Sequence, residues 1–115
     1  MKVLIHHIYE YQKGLRQLVL HTMSAEEREL AEQKMKVQGI SYYIQEVTER
    51  KINVFMGAKE CVEVVKQIGN KRLCDYSPEE DFILGSMLGY DKRQQCERYL
   101  KKKKEQRINQ LRIIA

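Results

Sequence analysis

At 115 residues, with 43% hydrophobic and 32% charged side chains, the chain is long enough for one domain with a modest core and too apolar for disorder. One proline and no Ser/Gly-rich run leave no linker, so a single domain 1–115 is expected, and no window is apolar over the length of a membrane span. The net charge of +5 is unevenly spread: residues 1–90 hold 12 Lys+Arg against 13 Asp+Glu, whereas residues 91–115 hold nine against three.

The excess positive charge therefore belongs to the final segment. Charge concentrated in this way attracts polyanions or an acidic protein surface, in a salt-dependent manner. The opening run Met1-Lys2-Val3-Leu4-Ile5 begins like a signal peptide, but His6, His7 and Glu10 break it early, so a cytoplasmic protein is expected. Cys61, Cys74 and Cys96 are odd in number and lack a Cys-x-x-Cys spacing, which argues against a disulfide framework or a zinc knuckle.

Leu4, Ile5, Ile8 and Tyr9 fall at i, i+1, i+4 and i+5 and predict a helix over residues 2–13 that Gly14 stops. Leu15 to His21 alternates with apolar groups on both sides, the pattern of a central or well-covered strand. Ser24 with Glu27 makes a Ser-x-x-Glu cap, and the following helix carries Leu30, Ala31 and Met35 inward and ends at Gly39. Ile40 to Thr48 and Ile52 to Met56, joined by the polar Glu49-Arg50-Lys51, predict an antiparallel hairpin. Residues 58–68 form a helix with Cys61, Val62, Val65 and Ile68 inward, and residues 69–76 read as irregular.

Ser77, Pro78 and Glu80 together spell a capping box with proline at the first helical position. Phe82, Ile83, Leu84, Met87 and Leu88 surround most of that helix, which is expected to be buried, with Gly85 as a point of close approach. Gly89 stops it and Asp91 caps a basic C-terminal helix over 91–114, with Cys96, Tyr99 and Leu100 facing inward. After a turn of lysines the apolar stripe resumes at Ile108, Leu111 and Ile114, and a second subunit is the simplest cover for it. The fold class is α+β: a three-stranded antiparallel sheet with about five helices in the order α-β-α-β-β-α-α-α. The middle reads as a truncated ferredoxin-like plait with helices on one face of the sheet.

The strings His6-His7-Ile8-Tyr9-Glu10, Lys13-Gly14-Leu15-Arg16, Asn53-Val54-Phe55, Glu80-Asp81-Phe82-Ile83-Leu84-Gly85, Leu88-Gly89-Tyr90-Asp91, Gln95-Cys96 and Arg98-Tyr99 resemble a small bacterial family known only as a domain of unknown function. The resemblance covers nearly the whole chain. It implies three strands, five helices, a homodimer, and genes that often neighbour flavodoxin genes. A second uncharacterised family, from anaerobes, is distantly similar, but Asp91 stands where that family tends to have proline. Neither family has established catalytic residues to carry over.

For chemistry, His6 and His7 are about 100° apart on a helix and do not easily share a metal. His6 with Glu10 at i+4 supplies two ligands that His21 or Asp81 would have to complete, and no compact ligand set is visible. Cys96 lies near a helix start beside Lys92, Arg93 and Arg98, surroundings that favour thiolate, although a packing role is the commoner one. Asp81 suits the positive end of its helix rather than acid–base work.

The chain is read as a cytoplasmic binding protein rather than an enzyme: a homodimeric accessory or regulatory partner of an acidic protein, with a flavodoxin as the candidate implied by the resemblance. No cofactor, metal or membrane is expected. Lys92, Arg93, Arg98, Lys101, Lys102, Lys103 and Lys104 are the partner-binding residues; His6, His7, Asp81, Tyr90 and Cys96 are further candidates. One alternative is a nucleic-acid binder using the same basic helix, although its lysines wrap all sides rather than one reading face. Another is a small metal- or haem-binding protein or enzyme built on His6, His7 or Cys96.

Overall fold

The computed structural model describes residues 1–114, with only the backbone described at Ile114. The chain divides into two compact units, Met1–Asn70 and Lys71–Ala115.

In the first unit α1 spans Lys2–Gln12. It buries Leu4 and Ile8, while Ile5 and Tyr9 are 48% and 54% exposed. Half of the expected face is therefore wrong. The buried stripe is Leu4, Ile8 and the partly buried Tyr11, at i, i+4 and i+7; Ile5 and Tyr9 sit about 100° further round, beyond the reach of the sheet. The helix exits through Gly14, whose N–H reaches the Tyr11 carbonyl at 2.9 Å, and Leu15, whose N–H reaches Glu10 at 3.0 Å.

That exit consumes the residues expected to begin the first strand, so β1 runs Leu18–Ser24. It is also an edge strand rather than a central one: the sheet order is β1-β3-β2. Of the two alternatives, the well-covered strand is the one that holds, since Leu18 and Val19 are both fully buried. After a 3-10 turn at Ala25–Glu27, α2 spans Arg28–Val37. The Ser24 hydroxyl accepts from Glu26 N–H at 3.4 Å, and the expected reciprocal bond from Glu27 is replaced by an ion pair between Glu27 and the Met1 ammonium at 3.4 Å. Ala31 and Met35 are buried as expected; Leu30 is exposed.

Strands β2, Ser41–Glu46, and β3, Lys51–Gly57, form the expected antiparallel hairpin. Its turn is held by the Thr48 hydroxyl, which accepts from the N–H groups of Arg50 and Lys51 at 3.1 Å each. β3 is the central strand and is buried from Ile52 to Gly57. The period of two sends Val19, Met23, Ile52, Val54 and Met56 to one face, where they share a cluster with Leu4, Ile8, Ala31, Met35 and Ile40. Leu18 and Phe55 point to the opposite face, and the buried Val62 and Val65 of α3, Lys59–Ile68, stand outside that cluster. The helices of this unit thus divide between the two faces of the sheet, rather than sharing one.

The second unit holds a 3-10 turn at Leu73–Asp75, α4 at Pro78–Met87 and α5 at Lys92–Ile114. The order α-β-α-β-β-α-α-α and the three-stranded antiparallel sheet match the sequence reading.

Candidate partner-binding surface

The geometry of the basic helix is set by α4. Ser77 Oγ accepts from Glu80 N–H at 3.1 Å, and Glu80 Oε1 accepts from Ser77 N–H at 2.8 Å, so the expected capping box forms. Lys71 Nζ lies 2.6 Å from the same Glu80 oxygen; that contact and the Ser77 backbone hold the Glu80 carboxyl below its ordinary value. At the other end Gly89, at φ 81°, turns the chain by donating to the Ser86 carbonyl while Tyr90 N–H returns to Gly85. Asp91 then accepts from Gln94 N–H at 2.9 Å, which starts α5.

α5 meets α4 through a set of side chains that only partly matches the one expected: Tyr99 packs inward, Cys96 and Leu100 do not. Gln95 is buried against Gly85, where no side chain intervenes. Tyr99 packs edge-on to Phe82 with ring centroids 5.8 Å apart. Cys96 is exposed and Leu100 is 66% exposed. With Phe82 and Tyr99 they line an open apolar groove of about 320 Å³. On α4, Ile83 is exposed and Phe82 and Met87 are half-buried, so that helix is one-sided rather than enclosed.

The acidic first turn of α4 engages several of the predicted binding residues. Arg98 donates to both Asp81 oxygens, at 2.8 and 3.0 Å, and this pairing raises the guanidinium above its ordinary value. Asp81 is thereby occupied as a structural carboxylate. Lys103 pairs with Glu79 at 3.5 Å, and Arg93 with Glu97 at 3.4 Å. Among the described residues Lys92, Lys101, Lys102 and Lys104 form no ion pair; Lys92, Lys101 and Lys104 are exposed, as is Tyr90. The sequence reading missed Arg107 and Arg112, which are exposed further along the same helix. Their signal was the continuation of basic residues at i+3 and i+8 from Lys104.

The histidines belong to the first unit. His6 Nε2 lies 3.0 Å from Glu10, and the His7 and His21 rings are 5.1 Å apart. All three histidines of the chain thus gather at one corner, but no group of three or more His, Cys, Asp or Glu among the described residues is arranged to hold a metal. No helix among the described residues is long and apolar enough to cross a membrane.

The chain belongs to the family of proteins of unknown function DUF2023, which matches residues 2–102. No curated protein matches it. The matched region takes in the sheet, α4 and the first half of α5, and stops before Arg107, Ile108, Leu111 and Arg112.

Proposed function

We propose that the protein is a non-catalytic accessory or regulatory factor of the cytoplasm, acting as a homodimer, that docks an acidic protein on the outer side of α5. A flavodoxin is the candidate partner, on the strength of the family resemblance. The observation that carries the reading is the division of the basic residues: among the described residues, Arg98, Lys103 and Arg93 are held by carboxylates of their own unit, whereas exposed Lys101 and Lys104 are not. Unpaired lysines on a rigid helix keep their field available to a partner. The exposed Ile108 and Leu111 supply apolar area that a second copy would cover. Ile114, the third member of that stripe, lies outside the described side chains.

The test is calorimetric titration of purified flavodoxin at low and physiological salt, comparing the wild type with Lys101→Glu/Lys104→Glu. Binding at low salt should weaken at least tenfold in the variant, and its salt dependence should flatten. Equal affinity for wild type and variant would remove the basic helix from the interface. The same titration with duplex and single-stranded DNA of unrelated sequence addresses the second use of this surface; tight, steeply salt-dependent binding there would assign it to nucleic acid.

A further inference from the structure

We propose that the His7–His21 contact is an acid-sensitive latch that holds α1 on the sheet at neutral pH and releases it when the corner takes up protons. His7 is on α1 and His21 is on β1, so the 5.1 Å ring contact bridges two elements. Arg16 Nη1 approaches His7 Nδ1 at 3.4 Å. A guanidinium only donates, so Nδ1 must be an unprotonated acceptor and the His7 proton must sit on Nε2. Protonating Nδ1 removes that hydrogen bond and sets two cations against each other.

Two carboxylates face the corner, Glu10 toward His7 and Glu27 toward His21, and both are shared with other groups. From α1 come His6 and Glu10, with Glu10 engaged by His6 at 3.0 Å and lying 3.9 Å from His7. From the loop after α1 comes Arg16, and from the 3-10 turn comes Glu27, engaged by the Met1 ammonium at 3.4 Å. At neutral pH the two cations, Arg16 and Met1, balance the two carboxylates. Each proton added to His7 or His21 leaves the corner one unit more positive, an excess that Glu10 and Glu27 offset only in part. Burial, then the His21 ring and Arg16, hold His7 below its ordinary value. Burial and the Met1 ammonium do the same for His21.

The element being held is weak by itself. α1 has 11 residues and only Leu4 and Ile8 fully seated in the core. A helix of that length is marginal in water once released. Release therefore means melting, and it withdraws Leu4 and Ile8 from the cluster they share with Val19 and Met23 of β1.

The test is amide hydrogen exchange of the full chain by NMR at pH 7.5 and 5.5, corrected for intrinsic rates. Each histidine that is neutral in place and charged when free raises the opening constant by up to about tenfold per pH unit below about 6.5. Residues 4–12 should therefore lose protection at pH 5.5 by on the order of tenfold or more, and at both pH values they should be less protected than residues 52–56 of β3, because the latch opens without the sheet. The double variant His7→Gln/His21→Gln should show the same α1 protection at both pH values, and His6→Gln should keep the response. Equal protection of α1 and β3 at pH 5.5, no loss in α1, or an acid response that survives in the double variant would each overturn the latch. Where the double variant does not fold, the wild-type acid loss in α1 together with its lower protection than β3 decides.

Discussion

Gly57 has φ 145°, and a Cβ there would strike the backbone carbonyl of Gln17. Both problems are backbone problems, so no side-chain adjustment relieves them. Gly57→Ala should cost roughly 2–4 kcal/mol, read as a lower urea midpoint at an unchanged slope. Thiol reactivity is set at the same scale. Cys74 and Cys96 are exposed, whereas Cys61 is partly buried and its thiol is pushed up by burial and by neighbouring Glu60. Titration with a thiol reagent should show two fast cysteines and one slow one. The sequence placed Cys96 inward beside Tyr99 and Leu100, although its basic neighbours had also marked it as a thiol that favours thiolate. Three residues at i, i+3 and i+4 define a face, but the face that packs was decided by Gly85, which admits Gln95 instead.

Between elements, the Gly85–Gln95 contact makes a definite expectation. A Cβ at Gly85 would overlap the Gln95 carboxamide, the far end of a flexible side chain. Gly85→Ala should therefore be destabilising alone and noticeably less so when Gln95→Ala accompanies it, a coupling of about 1 kcal/mol in a double-mutant cycle. The cap of α4 should behave as an isolated unit: Ser77→Ala is expected to cost about 1 kcal/mol in chemical denaturation. This cap was legible because every partner lies within four residues. The Ser24 cap looked similar in sequence but did not close, since Glu27 found the Met1 ammonium instead. The Arg98–Asp81 pair, 17 residues apart, has no local signature at all.

Over the whole molecule, proton linkage sets the stability profile. His7 and His21 are held low in the fold, so the unfolded chain takes up protons first as pH falls below about 6.5, and stability declines from there to their folded values. Glu80 is also held low, so its contribution is present above its ordinary value of 4.5 and is lost as pH falls through its lowered one. Both act in one direction. Urea midpoints should be flat from pH 8 to 7 and fall on acidification, in a first step that His7→Gln/His21→Gln removes. The single-domain reading of the sequence further predicts that probes in Met1–Asn70 and in Lys71–Ala115 report one coincident transition. Separate midpoints would make the units independent.

What the sequence by itself determined was local: the order of elements, the hairpin, the α4 cap, the Gly89–Asp91 joint and the concentration of charge in the last helix. These follow from spacings of a few residues and from φ/ψ preferences that need no distant partner. Only the tertiary structure decided that β1 is an edge strand, that α3 takes the opposite face from α1 and α2, which lysines stay unpaired, and that all three histidines share a corner. Each of those depends on contacts between residues far apart in the chain. Periodicity says that a side chain has a buried side, but not what will occupy it.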